Sequence, residues 1–205
     1  MKRVLLLGDS IRMGYDEYVK EILKDEFEVV YDDYDNGRFA AYTLWQANQF
    51  FRNFGRFDVV HWNNGYWDMH VEAPMKTAIH PVDEYVYFLG RILNEIRNNG
   101  ATPVFATTTP ILSDETAAEV IVEGVAYSRY KNEWVTEYNA AAVAFMKREG
   151  VAVNDLYALC AKDPHCYKCP DLLHLTDEGY RRCAEQTAQA IRKAAENRAG
   201  WPVRP

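Results

Sequence analysis

No apolar run in the chain approaches the roughly 20 residues that a helix needs to cross a bilayer. The apolar start, Val4-Leu5-Leu6-Leu7, is broken at once by Gly8-Asp9, which makes it shorter even than a signal-peptide core. It reads as a first strand, and the expected compartment is the cytoplasm. Basic surplus is missing too: 23 Lys and Arg stand against 30 Asp and Glu, a formal charge of −7. Nucleic acid and anionic membrane surfaces are therefore excluded as expected partners.

Cysteine is scarce, four in 205 residues, and a reducing compartment leaves such thiols unpaired. Cys166-Tyr167-Lys168-Cys169 has a chelating spacing, with Cys160, His165 and Cys183 near it in sequence. A second close Cys-x-x-Cys pair is lacking, so reduced thiols are preferred to structural zinc, and no metal or other cofactor is expected. Internal repeats, low-complexity tracts and Pro/Gly/Ser-rich linkers are also absent. A single domain over residues 1–198 follows, with a tail at 199–205 whose Trp201 can dock on the body or on a partner subunit; a homo-oligomer stays open.

What is present is alternation. Strand-like stretches at Arg3 to Leu7, Phe27 to Tyr31, Asp58 to Trp62, Thr102 to Thr107 and Val151 to Val153 are separated by helical patterns. The helical stretches run from about Gly14 to Lys24, Ala40 to Phe51, Val82 to Asn98, Tyr130 to Glu149 and Asp177 to Ala195. The third helix aligns Tyr85, Phe88, Leu89, Ile92, Leu93 and Ile96 on one face and is stopped by Gly100. Such alternation predicts an α/β fold: a five-stranded parallel sheet with helices on both faces. Ligands then gather at the carboxyl ends of the strands. Pro110 to Arg129 is long for a connection and suggests a lid or a subunit contact, with a short helix from Glu115 to Glu123.

Residues able to do chemistry fall where that rule places them. Gly8-Asp9-Ser10 sets a serine at a strand-to-helix turn, where backbone N–H groups face incoming negative charge. The competing reading makes Ser10 a plain helix cap. Asp171-Leu172-Leu173-His174, just ahead of the last helix, supplies a base for a weak hydroxyl nucleophile and a carboxylate to hold its tautomer. Thr176 can cap the helix that follows.

Together these blocks resemble the SGNH, or GDSL-type, hydrolases, from Val4 to about Tyr180. The resemblance implies a three-layer flavodoxin-like fold and an esterase that needs no cofactor. In it Ser10 is the nucleophile, His174 the general base and then acid, and Asp171 the orienter of His174. It also implies an oxyanion hole from the Ser10 N–H, the Gly37 N–H and an asparagine after the third strand. Here Trp67 stands in the family's asparagine position, in Gly65-Tyr66-Trp67-Asp68. Similar sequences with Asn-x-Gly-x-(His or Trp)-Asp point to Asn63, ahead of Asn64. An ordinary Asn36-Gly37 turn is the alternative at Gly37. Arg12, Arg38, Asn64, Tyr66, Trp67 and His70 are candidates for the substrate-binding rim, with scaffold packing the preferred alternative for any single one.

The function implied is removal of short acyl groups, acetyl above all, from a hydroxylated small molecule or oligosaccharide. Lysophospholipase or thioesterase activity, and a non-catalytic binding descendant, are the alternatives.

Overall fold

Val4 to Leu7 are almost wholly buried because their strand lies inside the sheet, flanked by a strand on each side. In a computed structural model, which describes residues 1–112, 118–122, 125–167 and 172–197, this strand, β1 (Lys2–Leu7), pairs in parallel with β2 (Phe27–Val30) and β3 (Val59–Asn63). Next come β5 (Thr102–Ala106) and β8 (Ala152–Asn154), giving the order β2-β1-β3-β5-β8, all parallel. Strands buried on both faces read as continuous apolar runs, which is how Val4–Leu7 looks in sequence.

Helix α1 (Ser10–Leu23) packs along α7 (Asp177–Glu196), while α2 (Ala40–Phe54) and α5 (Asn132–Arg148) each pack on α4 (Val82–Asn99). The face of α4 read from the sequence is buried at Tyr85, Leu89, Ile92, Leu93 and Ile96. Gly100 ends that helix in the left-handed region, at φ 82°, where its N–H bonds the carbonyls of Arg97 and Ile96. The three-layer α/β expectation is met. A short α6 (Leu156–Cys160) and a 3-10 turn at Pro164–Cys166 lead toward the last helix.

Two features differ from the expectation. A small helix, α3 (Tyr66–Met69), and a two-residue strand, β4 (Val71–Glu72), follow β3. Where a helix was expected from Glu115 to Glu123, the described residues form a strand, β6 (Ala118–Val122), antiparallel to β7 (Val125–Tyr130), which pairs with β4; the rest of that stretch lies outside the described residues. The segment is rich in β-branched residues that suit a strand, and a partner strand from after β3 was not visible locally. Among the described residues no helix is long and apolar enough to cross a membrane. The tail at 199–205 lies outside the described residues.

Candidate active site

The strand order reverses at β1, because the chain goes outward to β2 and then crosses back to β3. A crevice at the carboxyl ends of such strands is the usual ligand position in an open α/β sheet. Ser10 stands there, three residues beyond β1, as the first residue of α1.

Asp9, not Ser10, caps α1: its Oδ1 accepts from the Ile11 N–H at 3.0 Å. Capping therefore does not occupy the Ser10 hydroxyl. Its Oγ lies 2.7 Å from His174 Nε2 instead. The Ser10 N–H is among the first four of α1, which have no acceptor within the helix. Asp9 is fully buried, and that burial pushes its carboxyl above the usual range; the Asn63 side chain and the Ile11 N–H pull the other way.

Several local bonds position His174. Leu173 and Leu175 on either side of it are buried, and Leu175 bridges antiparallel to Tyr167. The Thr176 N–H donates to the Cys166 carbonyl at 2.8 Å, and its hydroxyl donates to the His165 carbonyl at 2.9 Å. That same oxygen accepts from the Gly179 N–H at 3.1 Å, which caps α7 as the sequence suggests. Asp171 lies outside the described residues, so the structure places two of the three expected catalytic residues, 2.7 Å apart.

The expected oxyanion donors fare unevenly. Gly37 does approach the nucleophile turn, but its N–H donates to the Gly8 carbonyl at 2.7 Å. That is a correction, since one N–H so engaged is not available to an oxyanion. Gly37 is needed there for closeness: a Cβ at this position would lie 2.5 Å from the Gly8 oxygen. Asn63 Nδ2 donates to Asp9 Oδ1 at 2.9 Å, joining the ends of β1 and β3, and has a second hydrogen left to give. A side chain at Gly8, where φ is 146°, would collide with Asn63 Oδ1 at 1.9 Å.

Of the expected rim, Arg38 and Trp67 are partly exposed. The other candidates are buried and structural. Asn64 Nδ2 bonds the Arg38 carbonyl and Thr43 Oγ1, at 3.1 and 2.8 Å. The Tyr66 hydroxyl donates to the Thr109 carbonyl at 2.6 Å. Arg12 pairs with Asp16 at 2.5 Å and ties the carbonyls of Asp32 and Asp35 to α1. His70 stacks on Tyr130 and meets the Trp67 carbonyl at 3.0 Å. Each is a polar or aromatic group next to a chemistry-bearing motif, and only the tertiary packing shows that it faces inward.

The sequence reading missed a buried pair beside the site. Helix α2 has no side-chain cap of its own; Asp68 supplies one from α3, its Oδ1 accepting from the Ala40 N–H at 2.9 Å. The same oxygen lies 2.7 Å from His80 Nδ1. Burial raises the Asp68 carboxyl above its ordinary range, although His80 and the Ala40 N–H lower it. His80 stood alone in its loop and carried no local signal.

The cysteines form a cluster without a ligand set. Cys160 and Cys183 are buried with their sulfurs 3.7 Å apart, and Cys166 is buried near them. Among the described residues no group of three or more His, Cys, Asp or Glu is arranged to hold a metal; Cys169 lies outside the described residues.

No protein-family model and no curated protein matches the chain. Solved structures do. A GDSL-like lipase from Bacteroides thetaiotaomicron is 20% identical, with a TM-score of 0.68 over 94% of this chain and 89% of that one. A lipase/acylhydrolase from Enterococcus faecalis is 18% identical, with a TM-score of 0.72 over 94% and 96%. An acetyl xylan esterase is 17% identical, with a TM-score of 0.68 over 92% and 99%. The chain thus has the three-layer α/β fold seen in GDSL-type and related acyl hydrolases.

Proposed function

We propose that the protein is a serine ester hydrolase of the SGNH type that removes short acyl groups, acetyl above all, from a hydroxylated, carbohydrate-like substrate. The observation that carries the reading is the 2.7 Å contact between Ser10 Oγ and His174 Nε2 at the start of a helix. A serine hydroxyl is a poor nucleophile until a base takes its proton, and an imidazole at this distance is placed to take it.

In the proposed cycle Ser10 Oγ bonds to the ester carbonyl carbon as its proton passes to His174 Nε2. The Ser10 N–H and the remaining hydrogen of Asn63 Nδ2 face the developing oxyanion, and the amino-terminal end of α1 favours the same charge. His174 then protonates the leaving alkoxide and an acyl-Ser10 ester remains. Water, losing its proton to His174, attacks that ester, and as the bond to Ser10 Oγ breaks His174 returns the proton to it, releasing the carboxylic acid and restoring Ser10. Asp171 is the proposed partner that orients His174. Support for a small acyl group and a sugar comes from the likeness to an acetyl xylan esterase and from the partly exposed Arg38 and Trp67.

The test is hydrolysis of p-nitrophenyl esters from acetate to palmitate by wild type, Ser10→Ala and His174→Ala. Turnover by wild type alone, fastest on acetate, is the expected result. Equal rates in wild type and Ser10→Ala refute the nucleophile, and fastest turnover of long chains refutes the short-acyl reading.

A further inference from the structure

The outer side of α2 carries a feature the proposed chemistry does not use. Of the six large hydrophobic side chains exposed among the described residues, two, Trp45 and Phe54, stand on this helix, at 53% and 49% exposure. Trp45 and Phe54 line a groove of 260 Å³ together with Asp32, Asp35, Gln46 and Gln49. Aromatic faces thus alternate with carboxylates and carboxamides. An acyl chain would be poorly served by such a lining, because it would have to desolvate the carboxylates. An anionic ligand would be repelled by Asp32 and Asp35. A neutral molecule with apolar C–H faces and hydroxyl edges matches both halves, and a pyranose ring is such a molecule.

The groove is also joined to the candidate active site. Asp35 lies two residues from Gly37, hence within about 7 Å of it along an extended chain, and the Gly37 N–H bonds the Gly8 carbonyl next to the nucleophile turn. From there an aromatic row runs outward: Arg38 lies 4.5 Å over the Tyr42 ring, and Tyr42 lies 5.4 Å from Trp45. The Tyr42 hydroxyl donates to Asp35 Oδ2 at 2.6 Å, fixing the ring. Gln46 Nε2 reaches the Asp35 carbonyl at 3.2 Å, and its Oε1 has no partner among the described residues. The volume falls just below the roughly 300–1,000 Å³ of ordinary small-molecule pockets, enough for a small polar ring rather than a large ligand.

We propose that this groove is a glycan subsite, in which Trp45 stacks on a sugar unit of an acylated oligosaccharide one or two units from the ester at Ser10. The proposal rests on the esterase reading above and adds the position that recognises the carbohydrate chain.

The experiment compares kcat/KM on p-nitrophenyl acetate with kcat/KM on O-acetylated xylo- and cello-oligosaccharides of one, two and four units. Wild type, Trp45→Ala and Gln49→Ala are measured, with Tyr87→Ala as a control for an exposed aromatic elsewhere. The expected result is a rise with chain length in wild type in at least one series. In Trp45→Ala the ratio of four-unit substrate to p-nitrophenyl acetate falls by about tenfold, the scale of a lost aromatic anchor, and it falls less in Gln49→Ala. Tyr87→Ala keeps the wild-type ratio.

No rise with length in either series, or a rise that survives Trp45→Ala, overturns the subsite while leaving the esterase reading intact. Wild type inert on every ester overturns the esterase reading. Calorimetric titration with the unacetylated four-unit sugars then decides the groove separately: binding lost in Trp45→Ala upholds it, and no binding refutes it. A change from dimer to monomer on Trp45→Ala, seen by sedimentation, assigns the groove to a contact between copies and overturns the glycan.

Discussion

Replacing Asp68 by alanine removes two bonds at once, and the structure sets the size of the effect. Helix α2 loses its one side-chain cap, worth about 1 kcal/mol and ranging from about 0.5 to 2. The Ala40 N–H and His80 Nδ1 lose their shared acceptor in a place with almost no solvent, adding about 1–3 kcal/mol for an unsatisfied buried group. The sum, about 2–4 kcal/mol, is reduced somewhat because a buried carboxyl with one unpartnered oxygen is removed as well. In urea at pH 7 the midpoint falls by about 1–2 M, given slopes of about 1–3 kcal/mol/M.

Asp68→Asn keeps an oxygen for both donors, so at least half of that loss is expected to return. The amino-terminal turn of α2 lies beside Gly8, where Gly37 and Thr43 meet. A small shift there lowers kcat on p-nitrophenyl acetate by on the order of tenfold with KM little changed, because misplacement of a positioned group acts on the transition state. Asp68→Ala as stable as wild type, or Asp68→Asn as damaging as alanine, would refute the argument.

Other consequences are equally open to measurement. His61 is fully buried and burial alone pushes it down to about 3, from 6.5. Between those values the unfolded chain takes up a proton that the folded one refuses, so stability falls as pH falls, by about 2.7 kcal/mol from pH 7.5 to 4.5. The difference in unfolding free energy between wild type and His61→Gln, titrated with urea at several pH values, should shrink by that amount; a difference that stays flat excludes the buried neutral imidazole. Gly179→Ala would set a Cβ 2.3 Å from the Cys166 carbonyl oxygen. Overpacking of that kind costs about 1–3 kcal/mol, and it displaces the turn that holds His174, so activity should fall along with Tm; an unchanged Tm refutes the close contact.

How much of this could be read beforehand depends on the range of the interactions involved. The sheet was legible because β1, β3 and β5 are short apolar runs and α4 keeps its 3.6-residue stripe over 18 residues. Ser10 and His174 were legible because each sits in a compact motif at a strand or helix boundary, although nothing in either motif shows that groups 164 positions apart come to 2.7 Å. Burial was not legible. Arg12, Asn64, Tyr66 and His70 look like rim residues by chain position, yet each is turned inward by partners far away in sequence or by packing. The Asp9 cap could have been found, since an aspartate just before a helix is as good a cap as a serine. The Asp68–Ala40 bond spans 28 residues and joins elements that share no local pattern.

The packing of α1 on α7 bears on how such a protein can change. Ser10 begins one helix and His174 lies three residues before the other, and Gly14 is a glycine because the Tyr180 ring fills the space a Cβ would take, 2.1 Å away. Arg181 over the Tyr18 ring, at 4.5 Å, seals the same contact. The proposed nucleophile and base are thereby mounted on one stiff pair of rods, while Arg38 and Trp67 belong to the loops and short turns beyond β2 and β3. The groups proposed for the reaction and those on the proposed rim are mechanically separate parts. Loops beyond the strand ends can be lengthened, shortened or exchanged to suit another acyl acceptor without altering the spacing of the two groups proposed to perform the chemistry.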